Sequence, residues 1–104
     1  MKFDHIAINS QNVKKSVDWY VTNLNSEIVY QDDSWAMIMC NGTKLAIVLE
    51  GEHPPHLAFK VSSSLSFPCD QSEIKVHRDS SSYYYGSDPD GNIIEWIVYA
   101  EDSE

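Results

Sequence analysis

Positive charge is scarce in this chain. Seven Lys and Arg stand against sixteen Asp and Glu, a formal net charge of -9. Phosphate binding needs clustered bases, so neither nucleic acid nor an anionic membrane surface is an expected partner. Cysteine is scarcer still. Cys40 and Cys69 match no metal or redox spacing. Cys40 reads as a buried thiol within an apolar run, Cys69 as a loop residue, and nothing demands an oxidising compartment. The opening MKFDHIAI carries Asp4 and His5 where a secretory leader would be apolar. No apolar run approaches membrane-spanning length. The expected location is the cytoplasm.

What is present is a globular composition: 42% hydrophobic residues, with three Trp, six Tyr and three Phe among 104 residues. That is enough for one domain with a real core.

Alternation predicts a first strand over 2–10, with Ile6 and Ile8 on one face and Phe3, His5, Ala7 and Asn9 on the other. A helix follows, capped by Asn12, with Val13, Val17, Tyr20 and Leu24 as its apolar stripe and an end near Asn23 and Asn25. Three strands come next, over 27–31, 35–40 and 44–50, the last two joined by an Asn41-Gly42 hairpin signal. Residues 51–55, with Pro54-Pro55, read as a linker.

The pattern then restarts. A strand over 56–61 puts His56, Ala58 and Lys60 on one face, and strands over 73–77, 83–85 and 93–99 follow. Asp88-Pro89-Asp90-Gly91 is a turn between the last two. Residues 62–72 occupy the place of the first half's helix. They are Ser-rich and interrupted by Pro68, so a loop or a single helical turn is expected. Asp4-His5-Ile6-Ala7-Ile8 thus parallels Pro55-His56-Leu57-Ala58-Phe59 at an offset of 51 positions. The expected fold class is α+β: two related βαβββ modules, 1–50 and 56–100, with the second helix reduced or missing, and a tail over 101–104.

In both copies a His opens the strand on the face opposite the bulky apolar residues, and an Ala follows two positions on. This face reads as a cavity wall, with the large residues packing against helix and loop. On the last strand Glu95 is the single charge in Ile93-Ile94-Glu95-Trp96-Ile97-Val98-Tyr99. A carboxylate there must be paired, protonated or bound to a metal. Two imidazoles and a carboxylate form the facial set of non-haem iron, and similar sets hold Mn²⁺, Zn²⁺ and Ni²⁺. The bland alternative is a buried His–Glu polar network without metal.

The paired His-apolar-Ala-apolar starts, the Trp19-Tyr20 pair and the run Tyr83-Tyr84-Tyr85-Gly86-Ser87-Asp88-Pro89-Asp90-Gly91-Asn92-Ile93-Ile94-Glu95 resemble the vicinal oxygen chelate superfamily. That superfamily includes glyoxalase I, fosfomycin-resistance thiol transferases, extradiol dioxygenases and bleomycin-resistance proteins. The resemblance implies that the two βαβββ modules pair with mixed sheets curving around a cavity. It also implies one divalent metal ion (Mn, Fe, Zn or Ni) on His5, His56 and Glu95, Lewis-acid chemistry on a small oxygen-chelating substrate, and a homodimer. Lyase, transferase and dioxygenase chemistry are not separated by it. The competing class is a metal-free drug-sequestering protein of the bleomycin-resistance type.

Two departures bear on the branch. Glyoxalase I carries a fourth ligand on the last strand of its first module. Here that position is Val48, or Ala46 if the repeat sets the register, and neither binds metal. The fosfomycin-resistance branch uses a basic cluster, of which Lys75 alone lies near a matching place. Glu50 reads as a stand-in fourth ligand, as a general base, or as a solvated strand end beside Gly51. Tyr85, sharing a face with Tyr83, reaches a substrate oxygen or packs across strands. Glu50 and Tyr85 are thus the candidate catalytic residues. His53 is expected to be exposed, and Glu73, Lys75 and His77 share a face that reads as cavity lining or, more simply, as an ordinary solvent face. Trp35, Met37 and Met39 form a substrate wall or simply core.

Overall fold

A computed structural model describes residues 1–100; the 101–104 tail lies outside the described residues. The elements run β1 (Lys2–Ser10), α1 (Val13–Leu24), β2 (Glu27–Gln31), β3 (Trp35–Cys40), β4 (Thr43–Leu49), β5 (His56–Lys60), β6 (Lys75–Val76), β7 (Ser82–Ser87) and β8 (Ile93–Val98), with 3₁₀ turns at Ser64–Ser66 and Gln71–Glu73. The strand order β2-β3-β4-β1-β5-β8-β7-β6 repeats one arrangement in each half. β1 and β4 pair in parallel, while β2–β3, β3–β4, β6–β7 and β7–β8 are antiparallel. The class is α+β with a mixed sheet, as the sequence predicts. Among the described residues no helix is long and apolar enough to cross a membrane.

The chain divides into two compact units, His5–His56 and Met1–Asp4 with the residues from Leu57 onward. In the first, the Asn12 side chain accepts from the Lys15 N–H at 3.1 Å, which starts α1, and Asn25 ends it in the left-handed region at φ 54°. Val13 and Val17 then bury against Ala36, Ile38 and Ile47, with Ile8 and Tyr20 packed beside them. On the opposite face of β1, Ala7 packs with Ala46 and Val48 under Trp35 and Met37. So Trp35 and Met37 are core on the His5 face of the strand. The β3–β4 hairpin closes through Asn41 (φ 51°) and Gly42 (φ 86°), two left-handed residues, the backbone that an Asn-Gly pair supplies most readily.

Among the described residues of the second unit no α-helix covers the strands. Phe67 buries instead against Val61 and Val98, with Cys69, Ile74, Tyr84 and Trp96 around them. One aromatic side chain, presented by the loop after the Ser64–Ser66 turn, takes the place of a helical stripe. The strand expected over 73–77 is confined to Lys75–Val76. Glu73 is drawn into a 3₁₀ turn, where its carboxylate accepts from the Asp70 N–H at 3.1 Å. Smaller differences follow the same logic. Thr43 joins β4 and Glu50 leaves it, and β7 extends beyond the predicted 83–85 to Ser82–Ser87. Cys40 is half-buried, because it ends its strand beside the exposed Asn41-Gly42 turn. Ile6 and Leu57, expected to pack inward, are exposed.

Candidate metal centre

Each predicted ligand sits where its strand makes burial unavoidable. In β1 and β5 alike, burial alternates: His5 and Ala7 are buried around exposed Ile6, and His56 and Ala58 around exposed Leu57. The two imidazoles, 5% and 8% exposed, meet edge to face with ring centroids 5.5 Å apart and planes at 70°. Stacking alone would not justify burying two such polar rings.

The residues 50–55 shape one of them. The Glu50 N–H donates to the Ser10 carbonyl at 3.0 Å. The Asn9 amide donates to the His53 carbonyl at 2.9 Å, so His53 is half-buried rather than exposed. The segment is thereby pinned along the end of β1. The next carbonyl, that of Pro54, lies 2.7 Å from Nδ1 of His56. A carbonyl oxygen only accepts, so Nδ1 carries the proton and Nε2 of the neutral ring keeps its lone pair. Orienting a histidine through its other nitrogen is how proteins prepare metal ligands. Nothing in the sequence of the linker marks Pro54 for this role, because the donor is a backbone atom.

Glu95, 1% exposed, is among the largest fully buried side chains. The β7–β8 register places Tyr85 directly across from it. Nε2 of His77 donates to its Oε2 at 2.8 Å. The His77 ring is stacked on Tyr83 at 3.6 Å and 7°, and Tyr83 meets Tyr85 edge to face at 5.1 Å. His77 is therefore no solvent-face residue. Its alternation with Ile74 and Val76 allows a cavity-lining face as well as a solvent face, but does not name its partner, which lies 18 residues further along the chain. Burial, and then the negative charge of Glu95, push the Tyr83 and Tyr85 phenols above their ordinary value of 10.0. Tyr85 stays protonated at neutral pH and is a hydrogen-bond donor there.

Among the described residues His5, His56 and Glu95 form a buried group in which each offers one ligand atom, all within 4.8 Å of one another. Two imidazoles and a carboxylate match the donor set of Mn²⁺, Fe²⁺, Zn²⁺ and Ni²⁺. Glu50 is not in this group; it is exposed in the turn past β4. Ala46 and Glu95 each lie four residues beyond a turn glycine, Gly42 and Gly91. Ala46 is thus the repeat equivalent of Glu95, and it faces Ala7 in the β1–β4 register.

The architecture is shared with solved structures of low identity. Methylmalonyl-CoA epimerase from Mycobacterium tuberculosis matches at TM-score 0.74 and 16% identity, covering 95% of this chain and 88% of that one. A hypothetical protein from Bacillus halodurans C-125 matches at 0.75 and 17%, covering 99% and 97%. A methylmalonyl-CoA epimerase variant from Streptomyces coelicolor, bound to 2-nitronate-propionyl-CoA, matches at 0.68 and 15%, covering 96% and 98%. No curated protein matches by sequence. Residues 2–77 match the family model described as Glyoxalase/Bleomycin resistance protein/Dioxygenase superfamily, and the chain belongs to that superfamily.

Proposed function

We propose that this protein is a divalent-metal-dependent enzyme acting on a small substrate that presents adjacent oxygen atoms. The observation that carries the reading is the convergence of His5, His56 and Glu95 within 4.8 Å, all buried. Three protein ligands leave positions for water and substrate. An ion bound there supplies Lewis acidity to a substrate oxygen.

The chain's own residues supply the rest. Pro54 orients His56 through Nδ1, so Nε2 is the nitrogen that serves as ligand. Tyr85, a protonated phenol across the strand pair from Glu95, donates to a substrate oxygen. Glu50 acts as a proton acceptor from the strand end and not as a ligand. The protein works as a homodimer in the cytoplasm.

The test is elemental analysis of the purified protein, followed by a substrate screen with the metal found. The screen includes CoA thioesters, because two of the structural relatives are methylmalonyl-CoA epimerases. Stoichiometric metal and metal-dependent turnover support the reading. Protein that neither carries nor takes up Mn²⁺, Fe²⁺, Zn²⁺ or Ni²⁺, yet binds apolar drugs, is a sequestering protein instead.

A further inference from the structure

We infer that His77 is a positioning residue for the Glu95 carboxylate, held for that task by its stack on Tyr83. The inference rests on the metal-site reading and adds to it a residue outside the three ligands. A carboxylate on a buried strand rotates about its last bond, and each rotation redirects both oxygens. Nε2 of His77, 2.8 Å from Oε2, fixes one of them. With Oε2 held, the direction of Oε1 is fixed as well. The donor is itself immobilised, because its ring lies flat on the buried Tyr83 at 3.6 Å and 7°.

The local fold explains how the ring reaches this place. The His77 N–H donates to the Ser81 carbonyl at 2.9 Å, and the Ser80 N–H to the His77 carbonyl at 2.9 Å, closing a tight turn between β6 and β7. Asp79 locks the turn by accepting from the Ser81 N–H at 2.9 Å and from its hydroxyl at 2.5 Å. A residue placed at the base of such a turn cannot swing away from β7. Its side chain stays beside Tyr83, two positions from the residue that opposes Glu95. An outer partner of this kind adds affinity by removing wrong orientations of the ligand before the ion arrives.

Two substitutions separate the hydrogen bond from the ring packing. His77→Phe keeps a flat ring for Tyr83 and loses the N–H. His77→Gln loses the ring and keeps an amide N–H near the place of Nε2. Both are titrated with Co²⁺ by calorimetry, and the visible absorption of the bound Co²⁺ is recorded alongside thermal melts. The expected result is a loss of about 10–100-fold in Co²⁺ affinity for His77→Phe, with a changed absorption band. His77→Gln keeps a donor but not the stack that immobilises it, so its affinity should fall between the wild type and His77→Phe. Wild-type affinity in a folded His77→Phe protein overturns the inference and leaves the metal reading standing. So does a loss in His77→Gln as large as in His77→Phe. If His77→Phe does not fold, His77→Leu replaces it under the same criteria. A wild-type protein that binds no Co²⁺ overturns both readings together.

Discussion

Nδ1 of His56 donates to the carbonyl oxygen of Pro54 at 2.7 Å, within a turn that Asn9 pins through the neighbouring His53 carbonyl. This contact makes the metal-site reading testable one residue at a time. His5→Ala, His56→Ala and Glu95→Ala should each lower metal affinity by more than the ~10–100-fold that an outer partner typically contributes, and the purified variants should come without metal. Elemental analysis on folded protein checks it. Wild-type metal content in all three would remove the assignment.

Ala46 occupies the place on β4 that Glu95 occupies on β8, and alanine offers no ligand atom. Glu50 lies four residues further along and beyond the end of the strand. Little or no turnover is therefore expected on the methylglyoxal–glutathione adduct with Zn²⁺, Ni²⁺, Co²⁺ or Mn²⁺. Glu50→Gln should leave metal content unchanged and lower turnover of the true substrate, because an amide takes up no proton. An absorbance assay across the four metals decides the first point. A rate of about 10 per second or more, ordinary for an enzyme, would mean that Glu50 does reach the ion.

Tyr85 and Tyr99 have phenols raised above 10.0, by burial first, then by the charge of Glu95 for Tyr85 and the hydrogen bond to Asp4 for Tyr99. A raised folded-state value means that the unfolded chain releases these protons first. Their contribution to stability is complete below the unfolded value near pH 10 and is lost as pH rises above it. Melting temperature should therefore fall steeply above pH 10. Tyr85→Phe should flatten that fall, because its phenol no longer ionises in the unfolded state. Melts between pH 8 and about pH 11.5, a range spanning the unperturbed tyrosine value, report the slope; equal slopes in both proteins would contradict the assignment.

Gly86 has no room for a side chain. A Cβ there would sit 2.9 Å from Cζ3 of Trp96 and 3.2 Å from Cε2 of Tyr84. Gly86→Ala should cost about 1–3 kcal/mol as the Trp96 ring is displaced. Because Gly86 adjoins Tyr85, this substitution tests whether packing around Trp96 supports the strand that faces Glu95. Denaturant unfolding gives the number, and a change below about 0.5 kcal/mol, typical of an unconstrained surface position, would show that Trp96 simply moves aside.

Assembly is open to direct measurement. Ile6 and Leu57 are exposed on their strands, as are Phe3 and Val76. A homodimer would remove such apolar surface from water. Light scattering at micromolar concentration is expected to return twice the 11.9 kDa chain mass; a monomer alone would end the proposal.

Much of this protein was settled by local chemistry. Asn12, the Asn41-Gly42 pair and the alternation of β1 and β5 each act over a few residues, where capping, left-handed backbone and a period of two are decided by the residues themselves. The same short-range pattern, doubled at an offset of 51, singled out His5 and His56, and the isolation of Glu95 in an apolar run singled out the acid. Tertiary structure alone decided what those patterns do not encode. His77 meets Glu95 across 18 residues of chain, a pairing set by how β6, the following turn and β8 flank β7. Pro54 contributes a backbone oxygen, which every residue possesses, so no side-chain pattern can announce it. Phe67 replaces a helix because burying one large ring satisfies the same apolar strands, a choice that volume makes and periodicity does not record.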